Sequence, residues 1–138
     1  MKRLEETHQV TLVGWFRLQH PHQKQLLTIV SFGENVGPRR MDRLKKMGLT
    51  KGWPDLLLAK SCHDFHGLFI EMKSPTGRLE TSQKVVHDAL RAEGYQVSVC
   101  YHWLEARDAI QDYLAPSPLQ SKKKLLLSLS AAVQAQDP

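Results

Sequence analysis

Cysteine is scarce: Cys62 and Cys100 are the two among 138 residues. That is too few for the disulfide framework of a small secreted domain. Long apolar runs are missing, and no stretch approaches the ~20 residues that a membrane-spanning helix needs. The start reads Met1-Lys2-Arg3 and then turns to Glu5 and Glu6 instead of an apolar segment, so it has no secretory pattern. The chain is therefore expected to be cytoplasmic, with no membrane partner. Aromatic residues make up 7%, and none is interleaved with the main basic run. That excludes an evident stacking platform for single-stranded nucleic acid. No internal repeat is present.

What is there is an ordinary globular balance, with 41% hydrophobic and 24% charged residues. One domain with a real core fits this length. The formal net charge is +5 and the sequence pI about 9.4. A basic excess favours polyanionic partners through counterion release.

Along the chain, Lys2 to Gln19 carries a helical stripe of Glu6, Gln9, Val13 and Phe16. His20-Pro21-His22 then breaks it. Leu26 to Phe32, bounded by Gly33, is β-branched and apolar and reads as a strand. Gly37-Pro38 opens a second helix with an apolar line of Met41, Leu44 and Met47, closed by Gly48. Leu56 to Ala59 and His66 to Lys73 read as two strands of an antiparallel hairpin. Thr81 or Ser82 can cap a third helix, with Val85, Val86, Ala89 and Leu90 on its buried face and Gly94 at its end. Tyr95 to Tyr101 reads as a strand and Trp103 to Leu114 as a helix. The order is that of a mixed α/β domain with a helical crossover between the last two strands. It runs over 1–114. Residues 115–138 read as a linker followed by a basic tail from Lys122-Lys123-Lys124. Leu125, Leu126, Leu129, Ala132 and Val133 can line one side of a short helix there, although fraying is the simpler expectation.

The chemistry concentrates in Pro54-Asp55 and, sixteen residues on, Glu71-Met72-Lys73. Asp55 begins one hairpin strand. Glu71 and Lys73 stand two apart on the other and so share a face. Two carboxylates brought together repel, which raises their pKa values unless a cation lies between them. Mg²⁺ suits such a place because it takes a few carboxylate oxygens and keeps several waters. Held by Asp55 and Glu71, with the Met72 backbone carbonyl as a further ligand, it can polarise a phosphate and acidify a water. Lys73 can orient that water or stabilise developing charge. Glu6 can add a carboxylate if the first helix packs beside the sheet, although Glu5 competes for that place. Gln83 can position the nucleophile or a phosphate.

These residues resemble the VRR-NUC family of the PD-(D/E)XK nuclease superfamily. The resemblance lies in Gly52-Trp53-Pro54-Asp55-Leu56-Leu57-Leu58, in Gly67 to Pro75 with Gly77-Arg78-Leu79 and Gln83, and in Arg43 to Gly48. Glu6 to Gln9 and Ala89 to Tyr95 extend it, so that it covers roughly residues 4 to 114. It implies a restriction-endonuclease-like fold, a mixed central sheet flanked by helices. It also implies metal-dependent cleavage with catalytic roles at Glu6, Asp55, Glu71, Lys73 and Gln83. Stand-alone relatives of this size are phage or bacterial structure-specific nucleases, some acting as homodimers on four-way (Holliday) junctions. The expected cofactor is Mg²⁺ with Mn²⁺ able to substitute, and no organic cofactor. Flaps, duplex ends or RNA as substrates, and a non-catalytic nucleic-acid-binding protein, stay open as alternatives. One departure is His20-Pro21-His22-Gln23, where the family often has an Asn-containing segment.

Two side features complete the expectation. Arg39, Arg40, Arg43, Lys45, Lys46 and Lys51 precede the Asp55 strand and form a candidate track for DNA phosphates. Cys62-His63 with His66 lacks a second ligand pair at structural-zinc spacing, and reads as a hairpin tip.

Overall fold

Alternating side chains on four short strands divide the sheet into two apolar faces. The computed structural model describes residues 2–31 and 36–135. In it β1 (Leu27–Ile29), β2 (Leu56–Leu58), β3 (Leu68–Met72) and β4 (Gln96–Cys100) lie side by side in that order. β1–β2 and β2–β3 are antiparallel and β3–β4 is parallel. Leu56, Leu58, Leu68, Ile70 and Met72 join a core with Leu12 and Phe16 of α1 (Lys2–Gln19) and Ile110 of α4 (Trp103–Leu114). Phe69 and Val97 pack instead with Leu57 and with Val86 and Leu90 of α3 (Thr81–Ala92). Fully burying each large apolar side chain contributes roughly 1.5–3 kcal/mol. The result is the mixed α/β architecture expected from the sequence, with α3 as the crossover.

Several local expectations change. The expected strand from Leu26 to Phe32 is shorter. Lys24–Leu26 forms a 3₁₀ turn and β1 covers Leu27–Ile29, while Phe32 and Gly33 lie outside the described residues. In α2 (Pro38–Lys46) Gly48 takes the left-handed position after the helix, at φ 109°, as a C-terminal glycine does. Met47, placed on the apolar line, is instead the C-cap and 74% exposed. In α3 the inward residues are Val86, His87 and Leu90, whereas Val85 and Ala89 face outward. The helical period carries the inward face from Gln83 through His87 to Leu90, and a buried histidine is invisible to a reading that follows apolar residues alone. Glu80, not Thr81 or Ser82, precedes the first turn as N-cap.

The tail forms one helix, α5 (Pro118–Gln134), begun by a capping box in which Gln120 N donates to Ser117 Oγ at 3.1 Å. The side chains named for its apolar side are all exposed. Among the described residues no helix is long and apolar enough to cross a membrane.

Candidate active site

Antiparallel register sets the centre. Leu56 pairs with Ile70 and Leu57 with Phe69, so Asp55, one residue before β2, lies opposite Glu71. Alternation sends Asp55 to the same side as Leu57 and Glu71 to the same side as Phe69, the face that α3 covers. Pro54 is fully buried and anchors the approach to Asp55. The Asp55 carboxylate is fixed at both oxygens: Met72 N donates to Oδ2 at 2.7 Å and Ser31 Oγ to Oδ1 at 3.2 Å.

Glu71 is 3% exposed. Its Oε1 accepts from Gln83 Nε2 at 2.9 Å and lies 3.5 Å from Lys73 Nζ. The Gln83 amide is itself oriented, because its Oε1 accepts from Glu80 N at 3.0 Å. Gln83 therefore ties the first turn of α3 to the β3 carboxylate. Lys73 is also withdrawn from solvent, its side chain 13% exposed, so the pair is not a loose surface bridge. Burial pushes Glu71 up to about 8, with the Asp55 charge as the next cause, and Lys73 only partly offsets this. Asp55 is raised as well, chiefly by burial, against its hydrogen bond from Met72.

The acid contributed by α1 is Glu5 and not Glu6. Glu5 Oε1 accepts from Ser74 N at 2.8 Å, and its charge bears on both Asp55 and Glu71. Glu6 is exposed. The reason is helical phase. His8, Leu12 and Phe16 are the buried residues of α1; at about 100° per residue, Glu5 stands roughly 20° from Phe16 and Glu6 about 80° away. Glu5→Ala is expected to lower the cleavage rate that the sequence resemblance implies about tenfold or more, and Glu6→Ala to leave it within about twofold. Initial rates of the two variants decide this, and the reverse order contradicts it.

The approach to Asp55 also depends on Gly52, whose φ is 101°. A Cβ there would collide with the Ser82 carbonyl oxygen at the start of α3. Gly52→Ala is therefore expected to lower the melting temperature by roughly 5–10 °C. A melt equal to wild type in calorimetry would contradict so close an approach.

The structure also tests for a cation. Glu71 Oε2 is buried with no hydrogen-bond partner, beside half-buried Asp55, whose pKa is likewise raised. A divalent ion answers both the repulsion and the orphaned oxygen. Among the described residues no group of three or more His, Cys, Asp or Glu is arranged to hold a metal. Asp55 and Glu71 are two hard-oxygen donors of the kind that divalent cations accept. At the hairpin tip His63 sits 3.0 Å from the Tyr113 carbonyl and His66 stacks edge-on against Tyr95.

Arg39, Arg40, Arg43, Lys45 and Lys46 are all exposed on α2. Lys51 is exposed too, but it pairs with Glu80 at 3.2 Å. Residues that sequence reasoning missed are Ser31 and His87. Ser31 becomes visible only once β1 is in register beside β2. His87 carried a signal, since it stands one helical turn beyond Gln83.

The sequence matches the VRR-NUC domain family over residues 4–103. No curated protein matches it. Among solved structures it is similar in fold to a VRR-NUC domain protein, with a TM-score of 0.70 at 23% identity over 80% of this chain and 88% of that one.

Proposed function

The chain belongs to the VRR-NUC family of nuclease domains, and on that premise we propose that it is a divalent-metal-dependent endonuclease of branched DNA. Four-way (Holliday) junctions are the foremost substrate in this reading. The observation that carries it is the pairing of half-buried Asp55 with buried Glu71, both pKa values raised and one Glu71 oxygen unsatisfied, with Lys73 alongside. A protein that only binds DNA has no use for two closely paired acids held toward a polyanion.

Asp55 and Glu71 would hold the metal, with the Met72 backbone carbonyl as a further ligand and Glu5 as the neighbouring third acid. Mg²⁺ fits this donor set, and Mn²⁺ is expected to substitute. When bound, the metal supplies Lewis-acid polarisation of the scissile phosphate and acidification of a water. Lys73 orients the attacking water and offsets charge that builds on the phosphate. Gln83 holds Glu71 by its Oε1 and is set to position the nucleophile or a phosphate. Glu5 fixes the Ser74 amide, and with it the loop that follows Lys73.

The exposed cations Arg39, Arg40, Arg43, Lys45, Lys46 and Lys51 form the track for phosphates. Such contacts orient a duplex without reading its bases, which favours recognition of DNA shape. Resolving a four-way junction requires two symmetric cuts, and a homodimer supplies two copies of the centre.

The test is cleavage of labelled four-way junction, flap, duplex and single-stranded DNA, and of RNA, in Mg²⁺ or Mn²⁺. Paired symmetric cuts in the junction are expected. Cutting confined to flaps, ends or RNA would keep the chemistry and discard the junction. Binding without cutting, unchanged by EDTA, would leave a non-catalytic nucleic-acid-binding protein.

A further inference from the structure

Three buried polar atoms near the acid pair have no hydrogen-bond partner: Glu71 Oε2, His87 Nδ1 and His87 Nε2. More than nine in ten buried polar groups are paired, so a cluster of orphans calls for an explanation. Two of them face each other, with His87 Nε2 3.7 Å from Glu71 Oε2. The imidazole is fully buried and the carboxylate nearly so. At 3.7 Å the contact is too long for a hydrogen bond, and a shift of less than an ångström would close it.

We propose that His87 is a positioning residue that clamps Glu71 for the metal, donating from Nε2–H to Oε2 while Gln83 holds Oε1. The inference rests on the reading of Asp55 and Glu71 as a cation site. Gln83 and His87 are four apart on α3, on one face of the helix. Together they would grip both oxygens of one carboxylate and stop it from rotating, while lone pairs remain for a cation. Gln83 alone leaves that rotation free. An imidazole with its proton on Nε2 has the N–H donor that this contact needs. Outer hydrogen bonds of this kind typically change metal affinity 10- to 100-fold.

Mn²⁺ binding to the full-length protein, followed by titration calorimetry and by the electron paramagnetic resonance of the free ion, tests the clamp without using activity. His87→Leu and His87→Met fill the space with apolar atoms, and His87→Gln keeps an N–H donor. Melting temperatures of the metal-free proteins accompany each titration. Both apolar variants are expected to weaken Mn²⁺ binding about 10- to 100-fold with melting unchanged or higher, since each removes a buried unsatisfied group. His87→Gln should recover most of the affinity. A purely packing role would instead lower the melting temperature and leave the affinity of the folded protein alone. If wild type binds Mn²⁺ in an Asp55-dependent way and the folded apolar variants bind it equally well, the clamp is overturned and the site stands. If His87→Gln is as weak as the apolar variants, donation is overturned. If wild type binds no Mn²⁺, or Asp55→Ala binds it as tightly, the cation site fails and the clamp falls with it.

Discussion

In metal-free buffer Glu71→Gln is expected to melt above wild type at pH 8, by on the order of 5 °C or more, with the difference shrinking toward pH 5. Glu71 has its folded pKa raised to about 8 against an ordinary value of 4.5. Stability from the protonated carboxyl is therefore fully present below the unfolded value. It falls as pH rises and is lost as the folded group ionises near 8. Asp55, also raised, acts in the same direction. His87 acts in the opposite one: its pKa is lowered from 6.5, so its contribution is present above 6.5 and is lost as pH falls through the depressed value. Between about pH 6.5 and 8 the Glu71 contribution is thus the cleanest. Glutamine cannot ionise and escapes it. Saturating Mg²⁺ should raise the wild-type melt at pH 8 and leave Glu71→Gln nearly unmoved, because the ion offsets the charge that burial penalises. Calorimetric scans across this window, with and without metal, check it. A difference between the two proteins that is constant from pH 5 to 8 would mean that Glu71 is not held protonated by its surroundings. The same variant is expected to lose DNA cleavage, which separates the stability of the fold from the demands of the site.

Lys73→Ala is expected to lower kcat by roughly 10²–10⁴-fold with little change in Mn²⁺ affinity. The lysine sits 3.5 Å from Glu71 Oε1 and is largely buried, close enough to serve the reacting groups yet with no donor atom for a cation. Asp55→Ala should do the opposite and lose metal binding together with activity. Single-turnover cleavage at saturating metal, beside a metal titration of each variant, reads the split. Should Lys73→Ala lose the metal as well, the lysine acts by holding Glu71 in place and not on the reaction. Since Gln83 also donates to Glu71 Oε1, that result is not expected.

The pairing of Asp55 with Glu71 is legible in the sequence, for physical reasons. Proline before an aspartate and a short apolar run fix an extended approach, and a close second run forces a hairpin. Antiparallel pairing then brings the two acids opposite each other, and a period of two puts Lys73 on the Glu71 side. The phase of α1 was not legible. Glu5 and Glu6 are neighbours, and the residue that would have decided between them, His8, is a polar group buried against expectation. The same difficulty hid His87 and turned the expected inner face of α3 toward Val85, which is 64% exposed. Apolar periodicity locates a helix well. It loses the phase where a core position is occupied by histidine. The tail shows the reverse case: the linker composition and three lysines suggest fraying, while a helix forms there from the capping box of Ser117 and Gln120.

The most direct measurement is cleavage of labelled branched DNA by wild-type protein in Mg²⁺, after removal of the metal with EDTA and after its return, beside Asp55→Ala. Cutting that stops with EDTA, resumes with Mg²⁺ and is absent in Asp55→Ala is the predicted result. Cutting that survives EDTA or the loss of Asp55, or DNA binding with no cutting of any substrate, would contradict a metal-dependent nuclease centred on Asp55 and Glu71.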